Sequence, residues 1–250
     1  MTGCGYWMNG WWKRDDAAPE ALAQRFLDTL NALSTLNGDL KTWVIGDDFN
    51  QKIIPLAKAK PMMADIVRGN VVRDDDDEPE PQSGYWMNAV NRPPPDSGAK
   101  GVTLRALGGS NYENLISLEL SWLNIPTHPA LATYSLVKSA MLVLTAHWPC
   151  DSARAGATDL NAERDRPAPP PGVAYIVTGP PIYTWIAYVS KSLSEGVGPV
   201  PGMHSERTPD GGLLLSATLE TFDPSDPEQV SAARRLEKIW NSLREPAKEA

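Results

Sequence analysis

No stretch of this 250-residue chain approaches the roughly 20 consecutive apolar residues that a membrane-spanning helix needs. The longest candidate, LVKSAMLVLTAHW, is short and interrupted by Lys138. The N-terminus has no basic head followed by an apolar stretch, so no secretory signal is expected, and Cys4 lacks the apolar lead-in of a lipoprotein signal. Cysteine is scarce. Cys4 and Cys150 are far apart and too few for a disulfide framework, so they read as idle or buried thiols in a reducing cytosol. Basic residues are in deficit, 23 Lys plus Arg against 31 Asp plus Glu, for a net charge of −8. Affinity for nucleic acid comes from neutralising phosphates, so direct binding to DNA or RNA is disfavoured, whereas a basic protein partner would be steered in. The expectation is a cytoplasmic protein with no membrane association.

The motifs of catalysis are missing too. There is no G-x-x-x-x-G-K-[ST] phosphate loop and no H-E-x-x-H, and no G-x-S-x-G elbow. GVGPVPG, Gly196 to Gly202, is glycine-rich but wrongly spaced, and its prolines remove amides that a phosphate would need. Only three histidines exist, His128, His147 and His204. His147, Trp148 and Cys150 at a helix end read as packing and capping rather than a zinc site. HSE and PCDS lack the second cysteine of a zinc deaminase and stand in reversed order. No catalytic set, cofactor or metal is implied, and the chain is not expected to be an enzyme. The alternatives are a hydrolase with its site among His204, Glu206 and Asp210, and a peptide- or carbohydrate-binding module that uses exposed Trp.

What the chain does contain is nine tryptophans, 23 prolines and a clear alternation of element types. GYWMNGWWKR reads as a strand with Tyr6 and Met8 on one face; Trp7 and Trp11 share the other. A helix follows, capped by Asp16, with Pro19 in its first turn and Leu22, Phe26, Leu30, Leu33 and Leu36 as its stripe; Asn37-Gly38 supplies a left-handed stop. KPMMADIVRG suggests a shorter helix. VTLRAL and ENLISLELSW alternate as half-exposed antiparallel strands. HPALATYSLVKSAMLVLTAHW is a second long helix, begun at Pro129. DSARAGATDLNAERDRPAPPPG reads mostly as loop with a short strand near its start, and VAYIVTG and IYTWIAYVS read as strands. GGLLLSATLETF places Leu213, Leu215, Ala217 and Leu219 on one face. The last helix is capped by Asp226, starts at Pro227 and turns Val230, Ala233, Leu236 and Trp240 inward. Runs of strands broken by a few helices define an α+β fold, mainly antiparallel strands with three to four packed helices. The chain reads as one domain over 1–250, divisible into halves 1–73 and 84–250 joined by an acidic loop or disordered link at 74–83.

Two features stand out as candidate binding elements. GYWMN occurs twice, from Gly5 and from Gly84. Shifting the chain by that spacing lays the first helix, Leu22 to Leu36, on the strand-patterned residues 101–115, so a simple tandem duplication fails and only a looser repeat survives. Trp11 and Trp86 are the members of the aromatic set that can anchor an interface. The second feature is the acidic run Asp74, Asp75, Asp76, Asp77, Glu78 and Glu80. It reads either as a solvated run or as a charged arm that occupies a basic cleft on a partner.

The closing segment, PDGGLLLSATLETFDPSDPEQVSAARRLEKIWNSL (Pro209 to Leu243), resembles the end of the immunity protein 52 family: a Gly-rich turn, an apolar strand, an FDPxxP link and a helix with AARRL. TWIAYVS (Thr184 to Ser190) resembles that family's Trp-centred strand, AHWP (Ala146 to Pro149) its helix exit, and YWMNGWW with EALAQRFLDTLNALSTLNGDLKTW its opening strand and helix. IVRGNVVRDD (Ile66 to Asp75) is similar to its R-x-N-x-x-R-D link, and GYWMNAVN stands where the family has an aromatic strand, with Trp86 and Asn88 split by Met87. The resemblance implies a non-enzymatic antitoxin of a bacterial polymorphic-toxin system. Its partner would be a cognate toxin, commonly a nuclease of restriction-endonuclease-like fold delivered by type VI secretion.

Overall fold

The computed structural model describes residues 4–47, 52–91, 101–120, 127–159 and 182–244. Ten strands form one sheet: β1 (Cys4–Trp12), β2 (Trp43–Asp47), β3 (Lys52–Pro55), β4 (Tyr85–Asn91), β5 (Thr103–Gly108), β6 (Asn114–Glu119), β7 (Ser152–Asp159), β8 (Ile182–Val189), β9 (His204–Arg207) and β10 (Leu213–Ser216). Their order is β3-β2-β4-β5-β6-β1-β7-β8-β10-β9, and every pairing is antiparallel. The fold is thus mixed α and β, as expected, but richer in strand than the sequence reading had it. The first strand of the chain sits in the middle of the sheet, between β6 and β7.

One face of the sheet is covered along its central strands. Helices α1 (Pro19–Leu36), α3 (Met63–Gly69) and α4 (Tyr134–His147) pack there, with the short α2 (Leu56–Ala59) beside them. Tyr6, Met8 and Trp12 of β1 point into this core with Phe26, Leu30, Met87, Leu104, Ile116, Met141, Trp148 and Trp185. The period-two alternation of β1 produces this directly, because its even-numbered residues face the helices and its odd-numbered ones do not. The indoles that enter the core carry their N–H to a partner, as buried indoles generally do: Trp148 donates to the Thr29 hydroxyl at 2.9 Å and Trp185 to the Thr218 carbonyl at 3.1 Å.

The second face is covered only in part. Helix α6 (Pro227–Arg244) lies over β8 and β10 and buries Leu236 and Trp240 against Ala187, Val189, Leu213 and Leu215. Among the described residues no helix covers the same face of β4, β5 and β6. The short α5 (Lys191–Ser194) follows β8.

Several local expectations change. The N-cap of α1 is Ala18, not Asp16; Asp15 instead accepts from the Ala17 amide at 3.1 Å and from Arg25 at 2.8 Å, tying the entry of the helix to its second turn. Asn37 is extended rather than left-handed, and its side chain caps a short 3-10 turn at Gly38–Leu40. Pro129 opens another 3-10 turn, and α4 itself starts at Tyr134 under a Thr133 cap. The short strand expected near the start of the 151–172 segment is an eight-residue strand over 152–159, near the centre of the sheet. Its small side chains are the reason: Ala153, Ala155 and Ala157 lie opposite Gly10, Met8 and Tyr6 on one side and Tyr188, Ile186 and Tyr183 on the other, so a strand of poor intrinsic propensity is held by the bulk of its neighbours. Leu219 leaves the strand and is 49% exposed. The VAYIVTG strand lies outside the described residues.

The register of β7 on β8 shifts between Ala155 and Gly156. A Cβ at Gly156 would stand 2.4 Å from the Tyr183 carbonyl and 2.8 Å from the Trp7 ring. Gly156→Ala is therefore expected to cost about 1–3 kcal/mol, as overpacking does, and to shift Trp7. Urea unfolding and the tryptophan emission spectrum check both; an unchanged urea midpoint would show that the ring yields freely.

Candidate protein-binding face

The cross-strand registers order the outer face of β4, β5, β6 and β1 into three rows. One row runs Trp86, Leu107, Leu115, Trp11; the next runs Asn88, Arg105, Ser117, Asn9, Arg154; the third runs Val90, Thr103, Glu119, Trp7, Gly156. Strands about 4.8 Å apart place Asn88 and Asn9 about 14 Å from each other across three steps.

The repeated pentapeptide acquires a geometric meaning here. β1 and β4 run in opposite directions with two strands between them. Asn9 and Asn88 lie in the same row, whereas Trp7 and Trp86 lie in opposite flanking rows. The two copies are thus related by a local two-fold passing between β5 and β6, next to Arg105 and Ser117. In both copies Tyr and Met turn to the helices, while Trp and Asn turn to the outer face.

The two indoles picked out from the sequence sit in one row but in different states. Trp86 is 39% exposed. Trp11 is half-buried, its ring 5.8 Å from Trp240, with the Arg154 and Arg244 guanidinium groups 5.6 and 5.3 Å from its centroid. Arg154 also lies 5.3 Å from the centre of Trp7 and 5.2 Å from Trp240, and pairs with Glu237 at 3.2 Å. Burial lowers the Arg154 pKa against the opposing pull of Glu237, while stacked indoles offer a cation a favourable surface. The α6 edge of the face is rigid and pre-ordered; the Trp86 edge is open.

The acidic run is neither a free loop nor a disordered link. Arg73 pairs with Pro79 across a hairpin, and Asp74 accepts from the Asp76 and Glu78 amides at 3.0 and 2.9 Å. Asp77 takes the left-handed conformation at φ 64°, which Asp tolerates better than most residues. The Val72 amide donates to the Gly84 carbonyl and the Trp86 amide to the Asn70 carbonyl, both at 2.9 Å. Asp74, Asp75, Asp76, Asp77, Glu78 and Glu80 are therefore fixed along the margin of the sheet whose backbone carries Trp86. Trp11 lies away from them at the far end of its row. The sequence reading missed Arg105, Asn88 and Asn9, and only the register could have joined them.

Two members of the hydrolase trio His204, Glu206 and Asp210 are engaged by other partners. Glu206 is paired with Lys138 at 2.5 Å. Asp210 is committed to its own turn, accepting from Tyr188 at 2.6 Å, from the Thr208 hydroxyl and from the Gly212 amide. Burial works to raise the Asp210 carboxyl, but these hydrogen bonds outweigh it and hold it below the usual carboxylate value. A carboxylate depressed in the fold stabilises above its unfolded pKa, about 4, and loses that contribution as pH falls through the folded value. Asp210→Asn is expected to weaken the fold at pH 7 and to flatten the acid limb of a stability–pH curve; unchanged dependence below pH 4 would remove Asp210 from it. A cavity of about 520 Å³ opens nearby among Trp148, Cys150, Asp151, Tyr188, Lys191 and Asp210. Burial pushes the Cys150 thiol up to about 12, which keeps it protonated and unreactive. Among the described residues no three His, Cys, Asp or Glu side chains gather as metal ligands, and no helix is long and apolar enough to cross a membrane.

A single broad antiparallel sheet, helices packed against one face and the other left half open, defines the fold class. The chain shares this fold with the Pseudomonas aeruginosa T6SS protein PA0821, at a TM-score of 0.52 and 12% identity, over 96% of this chain and 73% of that one. No protein-family model matches the sequence, and no curated protein does.

Proposed function

We propose that this chain is an immunity protein, an antitoxin that binds and neutralises a cognate toxin of a polymorphic-toxin or type VI secretion system by stoichiometric contact, without catalysis. The observation that carries this reading is the open outer face, where Trp86, Leu107, Leu115, Asn88 and Arg105 lie beside a fixed acidic hairpin. Exposed Trp and Arg ringed by partly buried apolar groups are what protein-binding hot spots are made of. Two further supports are the shared fold with a T6SS protein and the order of sequence motifs, which resembles the immunity protein 52 family. In this reading the toxin is a nuclease of restriction-endonuclease-like fold. Its substrate groove must be basic to hold phosphates, and the carboxylates of the hairpin match it. Binding then excludes the nucleic acid or blocks a conformation or assembly that the toxin needs.

Co-expression with a cognate nuclease toxin is expected to restore growth, and the purified pair to co-elute on gel filtration. Absence of both sinks the reading. A peptide- or carbohydrate-binding module is the second reading, favoured by the exposure of Trp86. Quenching of tryptophan emission by short peptides or oligosaccharides, abolished in Trp86→Ala, would move the assignment there.

A further inference from the structure

Among the described residues, the arginines around the open face have assigned roles, with one exception. Arg154 is held by Glu237 and three indoles, Arg244 pairs with Glu113 at 3.7 Å and stacks on Trp11 and Trp240, and Arg73 donates to the Asp77 carbonyl at 2.5 Å. Arg105 stands exposed on β5, next to the local two-fold axis, and makes no ion pair or hydrogen bond through its side chain among the described residues. Glu119, diagonal to it on β6, lies opposite Thr103 and forms no pair with it. The chain carries eight more acids than bases, yet leaves this guanidinium without an ion pair among the described residues, in the middle of the face that carries Trp86, Trp11 and Trp7.

We propose that Arg105 receives a carboxylate of the partner protein and is the anchor that positions the partner on the outer face; this rests on the immunity reading and names the chemistry of its contact. A guanidinium binds a carboxylate through two parallel N–H···O bonds, which fix orientation as well as adding attraction. Asn88 and Ser117 are its neighbours in the row and supply further donors to the same group. The flanking rows, Trp86 to Leu115 on one side and Val90 to Trp7 on the other, exclude water from the pair, the arrangement in which an interfacial Arg counts most. A phosphate would suit Arg105 equally, but a nucleic-acid backbone would bring many charges past the acidic hairpin and against a net charge of −8. The partner therefore meets this face with charges of both signs, basic opposite the hairpin and acidic opposite Arg105.

The test uses the full chain and the purified cognate toxin, in a catalytically inactive form. Arg105→Glu is expected to weaken the complex at least 100-fold in titration calorimetry and Arg105→Lys about tenfold, since a lysine lacks the planar fork. Both variants are expected to keep the thermal midpoint of the parent, because the side chain has no ion-pair or hydrogen-bond partner among the described residues. Binding by Arg105→Glu within threefold of the parent overturns the assignment and leaves the immunity reading standing. Failure of the parent itself to bind overturns both. Two further outcomes also overturn it: a dimer of the chain alone on gel filtration that Arg105→Glu dissociates, which would seat a second copy on the face, and low-salt binding of duplex DNA that the same variant abolishes.

Discussion

Trp185→Ala is expected to remove a large share of the stability of this protein. The side chain is fully buried and meets Tyr6 at 5.6 Å, Tyr134 at 6.0 Å and Phe222 at 6.5 Å between ring centres. Truncating a core Trp typically costs about 3–5 kcal/mol through lost transfer energy and the cavity left behind, against a total of about 5–15 kcal/mol for a domain. The loss does not stop at volume. The indole N–H satisfies the Thr218 carbonyl, which would be orphaned, and the Tyr6 hydroxyl donates to the Phe222 carbonyl at 2.6 Å from the same cluster. Burial drives that phenol well above its ordinary pKa, so water admitted by the cavity would also lower it. Urea denaturation followed by circular dichroism checks the result. A shift below about 1 kcal/mol would mean that the cluster collapses and refills, and that β8 is not pinned by this ring.

Neutralising the tip of the acidic hairpin is expected to slow association with the toxin at least tenfold at low ionic strength while changing the dissociation rate little. The choice of residues follows from the structure. Asp74 holds the turn through two amides and is left alone; Asp75, Asp76 and Glu78 are exposed and are changed to Asn, Asn and Gln. Charges of this kind act mainly on encounter, and their effect fades as salt rises. Stopped-flow rates over a salt series would show a shallower slope for the triple variant. An identical slope would mean that the toxin does not approach along this margin. Arg105 is expected to behave differently, because loss of a partner that is central and desolvated in the complex acts mainly on the dissociation rate.

The helices and the faces of β1 were legible in the sequence for a simple reason. Leu22, Phe26, Leu30 and Leu33 repeat at helical spacing and Tyr6 and Met8 at strand spacing, and burial follows those periods wherever one side of an element is wet. The strand Ser152–Asp159 was legible only as a short one because Ala and Gly carry little strand signal of their own. Leu213 and Leu215 share one face with Ala217, as their spacing requires, but the consecutive Leu214 marks a strand covered on both faces, one by the main core and one by α6.

The candidate face divides along the same line. That GYWMN occurs twice, that the acids cluster at 74–80, and that Trp7 and Trp11 share a side follow from the order of residues alone, because each is a matter of neighbours along one chain. That Asn9 and Asn88 lie in one row, that the two copies face each other about a local two-fold, and that the acidic run is stitched into a hairpin beside Trp86 were decided by the fold. Placing β1 between β6 and β7 depends on which strands pair and in which register. Those are choices made between residues more than a hundred positions apart, and no local pattern records them.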